Sequence, residues 1–465
     1  MTDSNKFRDW LSVNIAPTIF LVSYFLTVVL GNLVYLIPSA RPFLEKTPFT
    51  ARIFEFDTLF SSGFWLLLLS PFVVTPLVVW LVRRFTQPLV ARVVGFFPEF
   101  THSSYLMLLL LCYGVVIYAF WQAEAFRLFL AGSDFTSSVE ARFVIRERVS
   151  FFSMALLMSN LHFLSIYGAV KLVRKGGLWW GGVTLLNAVV ISVLLVVLNM
   201  KWPILIFYAG LVLAVFVYTP RYPFVKAAVG MVALLLVYFL ISAFVYRISP
   251  PVPEQAEQSQ IGESAMVEPQ VSEADIAGRS VAPVPERDEK ESKGADVVAL
   301  SAAIGGEVPK MMFHAVNRMA IIYPYYYEVF TKRGQVCGGL LAQAKVGQKC
   351  RPSYYIYTEI FNDQFNGRGT APAAVHITSY ALGGWPLAAV GLLCGSVLLG
   401  VFAALPLGGS SLAGAIAVTG GVMGYHLSQL PGEGPIFYDH GVFWSILMLF
   451  VYALFVKAYR AMVAK

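Results

Sequence analysis

Two groups of residues have the types and spacing to do chemistry. His376 stands in the run Thr370 to Trp385, at the mouth of a long apolar stretch and one to two turns before Gly383-Gly384. Imidazole titrates near neutrality, so a histidine placed there can take a proton from a hydroxyl as a general base. Taken alone, an interfacial histidine satisfied by hydrogen bonds is the plainer reading. Glu359, in Tyr357-Thr358-Glu359-Ile360-Phe361-Asn362, is the second candidate base. The other group is cationic. Arg142 and Arg146 are four apart and share a helical face; Lys201 precedes Trp202-Pro203 in a short turn; Arg318, Arg351 and Arg368 stud one long segment with Lys332, Arg333, Lys345 and Lys349. Each cation by itself reads as a solvated surface charge. Together they suit an anion, because a guanidinium donates paired hydrogen bonds to phosphate or pyrophosphate and gains where water is excluded.

Other chemistries lack their signatures. There is no phosphate-cradling Walker loop, no strand-anchored Gly-x-Gly-x-x-Gly, no His-Glu-x-x-His and no metal-type cysteine spacing. The residues call for no cofactor, no metal and no nucleic acid.

The elements that must position these side chains are membrane helices. The chain has 465 residues, 57% hydrophobic and 13% charged, about half the usual share of charge. Its apolar residues lie in blocks near the ~20 residues that cross a ~30 Å hydrocarbon layer. A cytosolic enzyme, a secreted domain and a fibrous protein are excluded. About ten spans are expected, near 15–37, 59–82, 103–121, 151–170, 179–199, 202–219, 226–246, 380–405, 410–428 and 441–459. The fold class is therefore an all-α polytopic membrane protein. Residues 1–246 form seven spans with an outer loop at 122–150; 247–378 form a large outer loop; 379–465 form three more spans. The first span is too long for a signal peptide and reads as an uncleaved helix.

The net charge of +7 hides a split. Residues 251–300 hold 11 acids and 4 bases and too few large apolar residues for a core, so they read as an acidic, disordered tether, with order resuming over 301–378. The rest of the chain holds 30 bases and 16 acids. Thirteen bases, from Lys6 and Arg8 to Lys457, Arg460 and Lys465, fall on one side in short loops, which places both termini in the cytoplasm.

Within the outer loop, Met312, Val316, Met319 and Ile322 recur at helical spacing, opposite Lys310, His314 and Arg318. This predicts a helix on the membrane surface, ended by Tyr323-Pro324-Tyr325-Tyr326-Tyr327. Tyr325, Tyr326, Tyr354 and Tyr355 read as interfacial anchors, with sugar platforms as the alternative. Cys337 and Cys350 are the only cysteines outside the spans and predict a disulfide on an oxidising side; Cys112 and Cys394 read as small packing residues.

The stretch His376 to Leu387 opening a span after a large outer loop, the motif around Glu359, and Lys201 between two close spans resemble O-antigen polymerases and the related O-antigen ligases. With the charged run at Arg142, the likeness covers about half of the chain, and its motifs are loose. No His-x-Asn follows, Lys201 stands where an arginine is common, and the acidic insertion has no counterpart; these departures favour polymerase over ligase. The resemblance implies a GT-C-like architecture in the bacterial inner membrane. It implies metal-independent transfer of a glycan from undecaprenyl pyrophosphate to the next lipid-linked unit, with a flippase and a chain-length regulator as partners beside membrane lipids. His376 or Glu359 would polarise the acceptor hydroxyl; Arg142, Arg146, Lys201, Arg318, Arg351 and Arg368 would hold the pyrophosphate. Two other readings compete. Glu55-Phe56-Asp57 before the second span suits a polyprenyl-phosphate-sugar transferase, and Asn160, His162 and Asn187 within spans suit a transporter or flippase of an anionic lipid or solute.

Overall fold

The computed structural model describes residues 7, 10–37, 56–131, 135–247, 320–334, 337–343, 350–361, 369–405, 410–430 and 442–463. The side chains of 130–141, 201, 202, 242–247 and 361 are not among them. The acidic segment 251–300, the helical pattern before Ala320, Glu55, Arg318 and Arg368 lie outside the described residues, as does the side chain of Lys201.

The protein is an all-α polytopic membrane protein. In chain order its helices are α1 (Ile15–Val34), α2 (Ser62–Phe96), α3 (His102–Gln122), α4 (Ala125–Ala131), α5 (Phe135–Arg148), α6 (Phe151–Lys175), α7 (Leu178–Val197), α8 (Lys201–Tyr218) and α9 (Pro223–Arg247). They continue with α10 (Ile322–Lys332), α11 (Gly339–Gln343), α12 (Pro352–Phe361), α13 (Val375–Ala403), α14 (Ser411–Ser428) and α15 (Phe443–Val463). Among the described residues, eight helices are long and apolar enough to cross a membrane. Helices occupy all ten expected spans, but the 18-residue α8 and α14 fall short of that standard.

Local sequence sets the ends. Ser61 accepts from the N–H of Phe64, Ser150 from that of Ser153 and Ser410 from that of Ala413, and Thr101 with Ser104 forms a capping box, so freed helical donors are satisfied. α14 is the packed centre. Its Gly424 lies so close to α1 that a Cβ there would collide with the carbonyl oxygen of Ala16, and a Cβ on Gly420 would meet the Phe402 ring. Small residues let helix backbones approach where no hydrophobic effect drives association.

α13 does not run straight. Gly383 (φ −165°, ψ 22°) and Gly384 (φ 66°, ψ −156°) leave helical geometry, and Gly384 takes the left-handed region that glycine tolerates. The chain reverses there. Arm 375–382 lies against arm 385–403, with Val375 Cγ1 3.3 Å from the Cβ position of Gly395 and Ser379 Cβ 2.8 Å from that of Gly391. In a continuous helix Val375 and Gly395 would stand about 30 Å apart. The expected span over 380–405 is thus a helical hairpin, and its crossing arm begins near Trp385. The long arm runs alongside α2 in the same direction: Gly63 faces Trp385, Thr75 bonds Ser396 at 2.9 Å, and Val82 faces Gly400. Cysteines placed at Val375 and Gly395, with Cys394 replaced by alanine, should cross-link efficiently on mild oxidation; absence of the cross-link in folded protein would show a straight helix.

One end of the bundle carries a cap. α10, α11 and α12 pack on α13, and Cys337 and Cys350 are joined by a disulfide. The run Tyr323 to Tyr327 lies in the first turns of α10. Pro324 fits because the first helical turn needs no N–H donors. Tyr325 and Tyr326 are buried in the cap core, so they are not interfacial anchors; Tyr326 donates to the Ala371 carbonyl at 3.1 Å. Ala373 and Leu430 exchange two backbone bonds, tying the approach to α13 onto the end of α14.

The opposite end, the base, is clasped by one carboxylate. Glu99, between α2 and α3, accepts from Lys171 Nζ at 2.7 Å, Tyr167 at 2.8 Å, Ser410 at 2.9 Å and the Leu412 N–H at 3.0 Å. It thereby joins the end of α6 to the electropositive start of α14. Arg174 adds a bond to the Ser410 carbonyl and lies over the Tyr218 ring.

Candidate functional site

The hairpin carries His376 into the interior. The residue is 0% exposed, and its Nε2 lies 3.3 Å from the Tyr24 hydroxyl, which donates to the Leu68 carbonyl at 2.9 Å. Among the described residues its Nδ1 has no hydrogen-bond partner. Tyr24 immediately precedes a π-helical turn, Phe25–Val29, of the kind that recurs at functional positions. A side chain without exposed surface is not poised to accept a proton from a bound hydroxyl, so His376 in this conformation holds the buried arm against α1 and α2.

Tyrosines roof this arm. Tyr323 donates to the Phe64 carbonyl; burial first, then Tyr24, Tyr327 and Tyr380, push its phenol well above the usual range, so it stays a protonated donor. Tyr327 stacks on Tyr380 at 5.8 Å, and Tyr380 meets the half-exposed Trp385 edge-on at 5.6 Å. Thr331 and Tyr380 share a hydroxyl bond of 2.8 Å.

Above the roof a charged row faces solvent. Arg333, at the end of α10, bonds Glu359 at 3.1 Å and also the Tyr355 hydroxyl. These bonds, Tyr355 first and Glu359 next, raise the guanidinium pKa above its ordinary value. Arg351, Tyr355 and Glu359 follow at four-residue spacing and share one face, and Arg351 is exposed. On the neighbouring side Glu328 accepts from Lys332 at 2.9 Å and Thr58 at 3.2 Å, beside the exposed Asp57. The row can bind an anion through its guanidinium groups, and Glu359 within it and Glu328 beside it are carboxylates able to receive a proton. Arg333 is one of the outer cations that the sequence grouped for an anion, whereas Glu328 carried only the signal of Lys332 four residues later.

Two other predicted cations, Arg142 and Arg146, are elsewhere. Arg142 and Arg146 lie on α5, whose Ile145 packs in the apolar cluster of α3, α6 and α7, whereas Ile356, Ile360 and Ile377 pack in the cluster under the cap. Arg142 sits over the Phe143 ring at 4.6 Å; burial, then Arg146, lowers its pKa. Among the described residues no bond links Arg142 or Arg146 to His376, Glu359 or Arg351. The intramembrane polar residues divide. Asn187 is fully used, accepting from Tyr113 at 2.9 Å and donating to Tyr105 at 3.2 Å. His162 stacks on Phe207 at 4.7 Å beside a core cavity of about 20 Å³, room for one water. No three His, Cys, Asp or Glu side chains gather among the described residues. No family model, curated protein or solved structure matches this chain.

Proposed function

We propose that the protein is a membrane-embedded glycosyltransferase that lengthens a glycan carried on polyprenyl pyrophosphate, working at the outer face of a bacterial inner membrane with both termini in the cytoplasm. The observation that supports it most is the row Arg351, Tyr355, Arg333 and Glu359, set on a cap that packs directly onto a broken membrane helix. An acceptor hydroxyl attacks the anomeric carbon, the bond to pyrophosphate breaks, and the proton passes to a carboxylate. A pyrophosphate drawn to Arg333 competes with Glu359 for the guanidinium and so frees that carboxylate as the base. Lys201, Arg318 and Arg368 remain candidates for the same anion, and a flippase and a chain-length regulator remain candidate partners.

A second reading, transport of an anionic lipid-linked solute, draws on the helix broken at Gly383-Gly384, because interrupted helices with buried polar groups also build transport sites. Purified protein in liposomes with lipid-linked oligosaccharide separates the two. Longer glycan formed without any gradient supports the transferase, and Glu359→Gln should slow it. Substrate crossing the bilayer without lengthening would replace that reading with the second.

A further inference from the structure

We infer that the base end binds the headgroup of an anionic phospholipid, at the junction where α2 and α15 meet. The two helices meet at Phe96, whose ring stacks on Phe450 at 6.0 Å and lies 3.6 Å beneath the Lys457 ammonium. Arg92, one turn before Phe96, shares its helical face, and Arg460 lies one turn beyond Lys457. All three cations are exposed. Among the described residues none is paired with a carboxylate. The acid nearest in sequence, Glu99, has both oxygens engaged by Lys171, Tyr167, Ser410 and Leu412.

The exposed apolar side chains beside this junction set the rest of the ligand. Leu89 and Val93 on α2, with Phe450 and Leu454 on α15, are 45–61% exposed on helices apolar enough to face lipid. An occupant therefore needs an apolar body along these side chains and a compact negative charge at the helix ends. A phospholipid with net negative charge has both. Free phosphate lacks the body, and in phosphatidylcholine a tethered ammonium cancels the charge. A general bias toward basic loops explains cations at a membrane face; it does not explain the Lys457 ammonium of one helix seated over the Phe96 ring of another, with Arg92 one turn away. Basic pockets between membrane helices recognise such headgroups.

The test uses the full chain in nanodiscs of phosphatidylcholine with or without phosphatidylglycerol, with retained lipids counted by native mass spectrometry. Wild type should retain phosphatidylglycerol preferentially, and less so as salt rises. R92Q/K457Q should bind it about 30-fold more weakly, R92K/K457R should bind nearly as wild type, and R127Q, a cation on α4, should change nothing. If R92Q/K457Q folds poorly, K457Q alone should still show a fall of about fivefold. Equal retention of the two lipids by wild type, or unchanged binding by folded R92Q/K457Q and K457Q, would overturn the inference.

Discussion

Glu99→Gln is expected to destabilise the protein by about 3 kcal/mol, read as a lower melting temperature in detergent and faster aggregation on heating. The cause is the charge left behind. Lys171 is 7% exposed, so losing its carboxylate strands an ammonium in the bundle, whereas Glu99 at 36% keeps some contact with water. The loss also loosens the start of α14, because the same carboxylate accepts from Ser410 and the Leu412 N–H. Glu99→Gln combined with Lys171→Met should be less destabilised than Glu99→Gln alone, since no buried charge remains. If Glu99→Gln melts as wild type does, the clasp contributes nothing.

The same clasp gives a pH dependence of definite sign. Burial by itself raises the Glu99 carboxyl; Lys171, then the Leu412 N–H, Tyr167 and Ser410, outweigh it and lower the pKa to about 2. A depressed carboxyl stabilises the fold at pH values above its unfolded pKa of about 4.3. That contribution is lost as the pH falls from there toward 2. Wild type should therefore lose stability across that window, and Glu99→Gln should show a shallower slope.

The second large effect is expected at Gly391. A leucine there drives into Ser379, whose Cβ is already 2.8 Å from the position a Cβ would take, and the backbone of Val375 lies just beyond. Overpacking of this kind costs about 1–3 kcal/mol. Its main consequence is local, because the arm carrying His376 must leave its seat beside Tyr24. Gly391→Leu should therefore abolish the cross-link between cysteines at 375 and 395, and on the proposed function should suppress glycan lengthening, even in protein that stays folded. Exchanging the small and large partners, as in Ser379→Gly with Gly391→Ala, should retain the cross-link. Persistence of the cross-link in Gly391→Leu would mean that the arms are not packed as described.

These two sites mark where sequence reading stops. Hydropathy finds a window of apolar residues but carries no direction, so 380–405 looks like one span although the chain reverses within it. Gly383-Gly384 identifies a break; whether the break is a bend or a reversal depends on Gly391 and Gly395, a small-x-x-x-small pair that leaves room for an antiparallel arm. His376 looks like a residue at a helix mouth until that arm is folded inward. Glu99 carries no signal at all, since a lone acid in a short loop looks solvated until residues 72 and 311 positions away meet it. The tyrosine run misleads for a different reason: proline stops a helix interior but is tolerated in a first turn, and the sequence does not say which applies.

The sequence by itself determined that the chain is an all-α membrane protein, near which apolar blocks its membrane helices lie, and that Cys337 and Cys350 are the pair available for a disulfide. Those properties follow from local composition, because ~20 apolar residues in a row have one favourable environment. Only the tertiary structure decided that α13 doubles back, that His376 is sealed beneath Tyr24, that Arg333 joins Glu359 and that Glu99 clasps the base. Each of these depends on contacts between residues far apart in the chain, at distances of a few ångströms that small residues permit and large ones forbid.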